Sequence, residues 1–453
     1  MGEWPTPGSV GMIPLVSRRS GTLAGRCRVP GDKSISHRAL MTAAIAIGRT
    51  TIEGLLEGED VLRTADALSA LGVGVRRHDD GRWSVDGVGV GGLVEPSTIL
   101  DMGNSGTGAR LMMGLVSTHA FNTHFTGDAS LVKRPMARVA RPLERMGASI
   151  LARSGCRLPL AVMGTAEPVP IEYELPVASA QVKSAILYAA LNAPGETIVI
   201  EPQATRDHSE LMLKYFGATV ASEPFGTGGR TVRLTGLAEL QARDLRVPSD
   251  ISSAAFPLVA AAITEGAHVT LEAVGTNPLR IGIVDTLREM GAAIRIENER
   301  RFGEEPVADI AVKGGALRAV DVPANRAPRM IDEYPVLAVA AACASGTSRF
   351  RGLGELRVKE SDRLSAIADG LARCGVDVEV SGDDLMIEGT GRPPRGAATI
   401  ATHLDHRIAM AFLVLGLVSQ EPVAIDDGSP IQTSFPDFVP LMRALGAAIE
   451  TRA

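Results

Sequence analysis

Six times along its 453 residues the chain repeats one grammar: a polar or glycine-rich loop, an uncharged run of small apolar residues, a break, and a β-like segment. The loops are residues 29–38 (Val-Pro-Gly-Asp-Lys-Ser-Ile-Ser-His-Arg), 103–110 (Gly-Asn-Ser-Gly-Thr-Gly-Ala-Arg), 178–184 (Ala-Ser-Ala-Gln-Val-Lys-Ser), 248–253 (Pro-Ser-Asp-Ile-Ser-Ser), 331–334 (Ile-Asp-Glu-Tyr) and 404–407 (Leu-Asp-His-Arg). A period of roughly seventy to eighty residues limits the fold to an array of one α/β unit. Each copy adds an amphipathic helix that ends in a glycine, at Gly72, Gly147, Gly217, Gly291, Gly375 and Gly446, where a helix C-cap belongs.

The small-residue runs (39–47, 111–116, 185–191, 254–263, 336–344 and 408–418) are apolar nearly all round, so these helices are expected to be buried. The amphipathic helices should lie outside, with the inner helices gathered in a centre and sheets around them. One core cannot serve this length, because cores stop growing near 250–300 residues, so two domains of three units each are expected. The boundary is placed near 244–248. Residues 1–20 contain Pro and Gly and lack the apolar core of a signal peptide, and read as a flexible extension.

Composition excludes several classes. The net charge of −6 argues against a nucleic-acid surface. No run of about 18 uncharged apolar residues exists, so no membrane span is expected. Cys27, Cys156, Cys343 and Cys374 form no C-x-x-C pair and read as reduced thiols of a cytoplasmic protein, without structural zinc.

The loops carry the chemistry. Pro30-Gly31 marks a turn, Ser34 and Ser36 are natural N-caps, and Lys33 and Arg38 bring cations to a helix start that already favours anions. Cations there imply an absent negative partner, although a capped helix with solvated charges explains the stretch alone. Three glycines in 103–108 let backbone approach a ligand, and Arg134 before a proline sits on constrained backbone. Ser179-Ala180-Gln181 offers hydrogen bonds at another helix start. His208 reads as a packing or capping residue. Asp250 and Ser252 lack a basic companion and read as structural. Lys359 and Arg363 are four apart, on one face of an amphipathic helix, with Glu360 between them available for proton transfer. Asp405-His406-Arg407 precede a wholly apolar run and should face a cleft.

Seven collinear stretches together resemble the 5-enolpyruvylshikimate-3-phosphate (EPSP) synthase family of enolpyruvyl transferases. They are Pro-Gly-Asp-Lys-Ser-Ile-Ser-His-Arg, Gly-Asn-Ser-Gly-Thr-Gly-Ala-Arg, Lys-Arg-Pro-Met, Ser-Ala-Gln-Val-Lys-Ser, Ile-Asp-Glu-Tyr-Pro, Arg-Val-Lys-Glu-Ser-Asp-Arg-Leu and Leu-Asp-His-Arg-Ile-Ala-Met. They span residues 28–438 and look closest to the bacterial class II branch, especially at Arg206-Asp207-His208. The resemblance implies a two-domain inside-out α/β barrel of six βαβαββ repeats. The chain then crosses twice between domains, giving one domain of 21–30 plus 246–453 and another of 31–245. It implies attack of the 5-hydroxyl of shikimate 3-phosphate on phosphoenolpyruvate, with no metal or organic cofactor and a monomer acting in the cytoplasm.

Carried over by position, Lys33, Ser34, Arg38, Ser179, Ala180, Gln181, Arg206, Asp332 and Lys359 would bind shikimate 3-phosphate. Lys33, Gly106, Arg134, Gln181, Arg363 and Arg407 would bind phosphoenolpyruvate. Glyphosate, a longer anion, would occupy the same place. Asp332 as general base and Glu360 as general acid, with Lys33 able to share the proton transfers, complete the expectation. Thr433 stands where many class I members carry a lysine. The nearest rival, the sister transferase acting on UDP-N-acetylglucosamine, uses a loop cysteine, and residues 127–138 contain none. A non-catalytic anion-binding repeat protein would have no use for Asp332 and Glu360 beside the cations. Clustered cations facing one cleft are also expected to repel one another, opening it until substrate bridges the halves.

Overall fold

The six inner helices are Lys33–Ala44, Gly106–Val116, Ala180–Ala190, Ile251–Ile263, Tyr334–Cys343 and His406–Gly416. They were located in a computed structural model that describes residues 12–452. Five start on a side-chain cap: Asp32, Ser105, Ser179, Asp250 and Asp405 each accept a backbone N–H of the first turn. The first cap is Asp32 rather than Ser34 or Ser36; the Ser36 hydroxyl instead accepts from the Leu56 amide at 3.0 Å.

Small residues let these helices touch. A methyl built on Gly114 would fall 2.3 Å from the Ala185 carbonyl oxygen, so the second and third inner helices meet at backbone distance. The outer helices are Glu59–Ala70, Ala137–Arg145, His208–Tyr215, Gly282–Glu289, Arg363–Arg373 and Phe438–Ala444. The glycines that follow them have φ between 82° and 110°, the left-handed geometry a C-cap glycine supplies. Asp60 lies inside the first outer helix, and Gly58 occupies the cap position.

Six four-stranded sheets surround the helices, and each unit reads βαβαββ. Three strands depart from chain order. Ala24–Cys27 pairs in parallel with His268–Gly275 of the fourth unit, while Leu245–Arg246 pairs in parallel with Ile47–Glu53 of the first. The two crossings run side by side, with Gly31 bridged to Ser249. The third strand, Leu15–Arg18, lies antiparallel between Val423–Ile425 and Ala448–Thr451 and completes the sixth sheet. The expectation of a flexible extension over 1–20 is therefore corrected for 15–18: Leu15 and Val16 are buried, and both strand edges are paired. Residues 1–11 lie outside the described residues.

The buried apolar side chains form two cores. One runs from Ile35 to Val247; the other joins Leu15, Leu23 and Val29 to residues 251–449. Among the described residues no helix is long and apolar enough to cross a membrane.

Candidate functional site

The N-termini of inner helices from both halves converge on one cleft of about 2120 Å³, its open mouth included. Lys33, Ser34, Gly106, Arg134, Ser179, Ala180, Gln181, Arg206, Asp332, Lys359, Glu360 and Arg407 line it, so residues from eight separate stretches of the sequence meet. The halves touch across it: Arg206 Nη2 lies 2.6 Å from Asp332 Oδ2, Gln203 donates to the Asn325 carbonyl at 3.0 Å, and Arg138 pairs with Glu355 at 3.3 Å.

Asp332 is the hub. Lys359 Nζ is 3.4 Å and Arg363 Nη1 3.1 Å from its Oδ1, and Arg407 donates to its backbone carbonyl at 3.2 Å. Burial opposes its ionisation, yet Lys359, Arg407, Arg206 and Arg363 hold its carboxyl well below the usual carboxylate range. Glu360 is similar: burial is outweighed by Arg363, at 2.5 Å, and by Arg134, His406 and Lys33, and its carboxyl is also held well below the usual range.

Two expectations about this cluster change. Lys359 and Arg363 do not share a helix face, because the outer helix starts at Arg363 with Asp362 as cap and Lys359 is extended backbone before it. Both still reach Asp332. Arg363 is fully buried and does not line the cleft; its Nε lies 2.8 Å from Asp405. Asp405 accordingly has its charge partner in the interior rather than facing the cleft, and His406 is buried beside it, burial and Lys33 taking its imidazole down to about 3. Of the three, only Arg407 lines the cleft.

Arg38 lies beneath the cleft floor. Nε donates to Ser209 Oγ at 2.7 Å, Nη2 to Ser184 Oγ at 2.7 Å, and Nη1 to the Ser34 carbonyl at 2.8 Å. Its guanidinium is thus held by neutral oxygens directly under Ser34. Lys33 pairs with Asp60 at 3.0 Å.

The expected repulsion between cations is mostly cancelled, since Lys33, Arg206, Lys359 and Arg363 each have a carboxylate partner. Among the described residues Arg110, Arg134 and Arg407 have none. Arg134 donates to Asn104 Oδ1 at 2.7 Å and to Ser130 Oγ at 3.0 Å. Arg110 donates to Gln181 Oε1 at 2.7 Å, and burial beside Arg134 and Arg138 lowers its guanidinium to about 10. Arg110 was not among the expected site residues, although it ends the glycine-rich loop; a cation closing such a loop was the available signal.

Sequence reading also missed Arg280. Asp250 and Ser252 do have a basic companion: Arg280 Nη2 is 3.7 Å from Asp250 and donates to Ser252 Oγ at 2.8 Å, while Nη1 is 3.8 Å from Glu333. Ser252 also donates to Glu333. His208 is buried, with Nδ1 2.7 Å from Glu305, as a packing residue would be. Thr433 donates to the Pro430 carbonyl at 2.8 Å and does not line the cleft.

Comparison with known proteins matches this arrangement to one family. The sequence profile of EPSP synthase (3-phosphoshikimate 1-carboxyvinyltransferase) matches residues 17–442. A 3-phosphoshikimate 1-carboxyvinyltransferase of Paramagnetospirillum magneticum is 63% identical over 436 residues, 96% of this chain and 98% of the relative. One of Rhodospirillum rubrum is 62% identical over 440 residues, with 96% and 98% covered. The solved EPSP synthase of Acinetobacter baumannii superposes with a TM-score of 0.87 at 45% identity, covering 97% of this chain and 100% of that one. With its six βαβαββ units closed into two inside-out barrels, the chain belongs to the EPSP synthase family.

Proposed function

We propose that this protein transfers the enolpyruvyl group of phosphoenolpyruvate to the 5-hydroxyl of shikimate 3-phosphate and releases phosphate. The observation that carries the reading is the pairing, in one cleft, of two half-buried carboxylates, Asp332 and Glu360, with three cations, Arg110, Arg134 and Arg407, that have no carboxylate partner among the described residues. Two substrates bearing two phosphates and two carboxylates need such cations, each charge-assisted hydrogen bond contributing about 1.5–3 kcal/mol.

In this reading Lys33, Ser34, Ser179, Ala180, Gln181, Arg206, Asp332 and Lys359 bind shikimate 3-phosphate, and Arg38 holds Ser34 from below. Lys33, Gly106, Gln181, Arg134 and Arg407 serve phosphoenolpyruvate, while Arg363, expected beside them, acts from beneath by holding Asp332 and Glu360. The 5-hydroxyl oxygen bonds to C2 of phosphoenolpyruvate, losing its proton to Asp332, while C3 gains a proton through Glu360, which takes one up from solvent once the substrate anions draw Arg134 and Lys33 off its carboxylate and its carboxyl rises. The tetrahedral adduct then loses the C3 proton and the phosphate, restoring the double bond. Substrate anions that draw Arg206 and Arg407 away from Asp332 raise its basicity, which fits a base held too low by these cations alone. Lys33, whose charge acts on Glu360, shares the proton transfers in this reading.

Phosphate release from phosphoenolpyruvate with shikimate 3-phosphate, and none with UDP-N-acetylglucosamine, is the expected outcome. The reverse preference would overturn the reading in favour of the sister transferase, and release with neither would favour a binding protein. The two cores support domains of 31–245 and of 21–30 plus 246–453, the latter extended by the strand at 15–18. The reading includes a cytoplasmic monomer, which sedimentation of the purified chain tests for mass.

A further inference from the structure

Below Ser179 and Gln181 lies a charged group that the proposed chemistry does not use. Lys183 is wholly buried in the third inner helix, its Nζ 2.9 Å from Glu201 Oε2 and 2.6 Å from Glu210 Oε1. Glu201 ends the strand Glu196–Glu201, and Glu210 sits in the outer helix His208–Tyr215. The loop between them carries Arg206, so Lys183 fastens both of its ends to the helix that presents Ser179 and Gln181. The remaining oxygen of Glu201 accepts the hydroxyl of Thr205, the residue immediately before Arg206. Arg206 itself spans the cleft, 2.6 Å from Asp332 and 3.4 Å from Ser34 Oγ.

Burying a lysine between two carboxylates is costly, and an apolar replacement of similar volume is often no less stable. Glu210 Oε2 is left without a partner, and burial, more than Lys183 can offset, raises its carboxyl. A group so expensive, with each contact aimed at one loop, is explained by what the loop holds.

We infer that Lys183, Glu201 and Thr205 are positioning residues that fix the reach of Arg206 into the cleft, and through it the affinity for the anionic group of the first substrate. The inference rests on the reading of Arg206 as a shikimate-3-phosphate contact. Glu201 restrains Thr205 from below, and the backbone of Thr205 sets where the next side chain starts. Loosening that hydrogen bond frees the guanidinium to stay on Asp332.

Thr205→Val keeps the shape and removes the hydroxyl. In the full-length protein it should raise the KM for shikimate 3-phosphate about fivefold or more, with the KM for phosphoenolpyruvate within about twofold of the parent. Thr205→Ser should restore the parent value. In an Arg206→Ala background Thr205→Val should add nothing further. If Arg206→Ala raises that KM while Thr205→Val leaves it unchanged, or if the two effects add in full, the inference is overturned and the proposed function stands. If Arg206→Ala itself leaves the KM unchanged, the assignment of Arg206 fails and the inference falls with it. Should Thr205→Val not fold, Thr205→Ala carries the same comparison.

Discussion

A methyl group on Gly106 would lie 3.2 Å from Arg110 Nη1, 3.2 Å from Arg134 Nη1 and 3.7 Å from Leu131 Cδ1. Its direction is thus toward the two guanidiniums that flank the glycine-rich loop. Both are tethered, Arg110 by Gln181 and Arg134 by Asn104 and Ser130, so each must give by a few tenths of an ångström. A charge-assisted hydrogen bond contributes about 1.5–3 kcal/mol. Forfeiting a quarter to a half of one such bond to phosphoenolpyruvate costs about 0.4–1.5 kcal/mol, a KM rise of about 2- to 12-fold. Stability should move the other way. Gly106 opens a helix with ordinary negative φ, so alanine fits the backbone and narrows the unfolded ensemble, worth about 0.4–1 kcal/mol. Gly106→Ala should therefore raise Tm slightly while weakening phosphoenolpyruvate. Glyphosate, being longer, has less slack beside the displaced guanidiniums, and its inhibition constant should rise by a larger factor than the KM. Steady-state kinetics with and without glyphosate, together with a thermal melt, measure all three. In an Arg134→Ala background most of the KM effect should vanish. Equal factors for substrate and inhibitor would refute the discrimination. A KM rise undiminished without Arg134 would refute the route through the guanidiniums.

Three further outcomes are expected. Asp332→Asn keeps the shape and removes the proposed base, so kcat should fall by at least about a hundredfold, far more than substrate affinity; near-normal turnover would move the role to Glu360 or Lys33. Burial and Asp32 push the Asp250 carboxyl up to about 7, against Arg280 and Arg407. A carboxyl raised in this way adds stability below its unfolded value near 3.8 and loses it as pH rises through about 7. Asp250→Asn should thus gain on the parent in Tm between pH 4 and 7, and a constant difference across that window would count against the buried acid. Deleting residues 1–20 uncovers the sixth sheet and removes Leu15 and Val16 from the core, a loss of about 3–6 kcal/mol, which should lower the first thermal transition on the order of 10 °C; an unchanged transition would mean that the strand is dispensable.

The repeat was legible because its signals are local. Small apolar runs, polar caps and terminal glycines each declare themselves within a few residues, so six inner and six outer helices could be read directly. The cleft followed, since loops that precede buried helices must meet where those helices begin. Pairings across long separations were not legible. Nothing near Asp250 announces Arg280, and nothing near Arg363 announces Asp405. The two were taken for a structural loop and a cleft-facing charge because each partner lies 30 or more residues away. Arg38 was read as facing an anion, when two of its acceptors, the Ser184 and Ser209 hydroxyls, lie across the fold. Lys183 did leave a trace: a lysine followed by residues 184–191 without a charge must be buried with an opposite partner. The strand at 15–18 left little, being four residues long in a stretch rich in turn formers.

That strand also fixes an order of events during synthesis. The core from Ile35 to Val247 draws on no residue after 247, so it can close while translation continues. The other core cannot. Leu15 pairs with Ile425 and Thr451, so the first of the described strands waits for residues 423–425 before one edge is covered and for 448–451 before the other is. At ordinary elongation speeds that wait is on the order of a minute. Throughout it the nascent chain trails an uncapped β-edge, the kind of surface that holdase chaperones shield and that crowded polysomes expose to neighbouring copies.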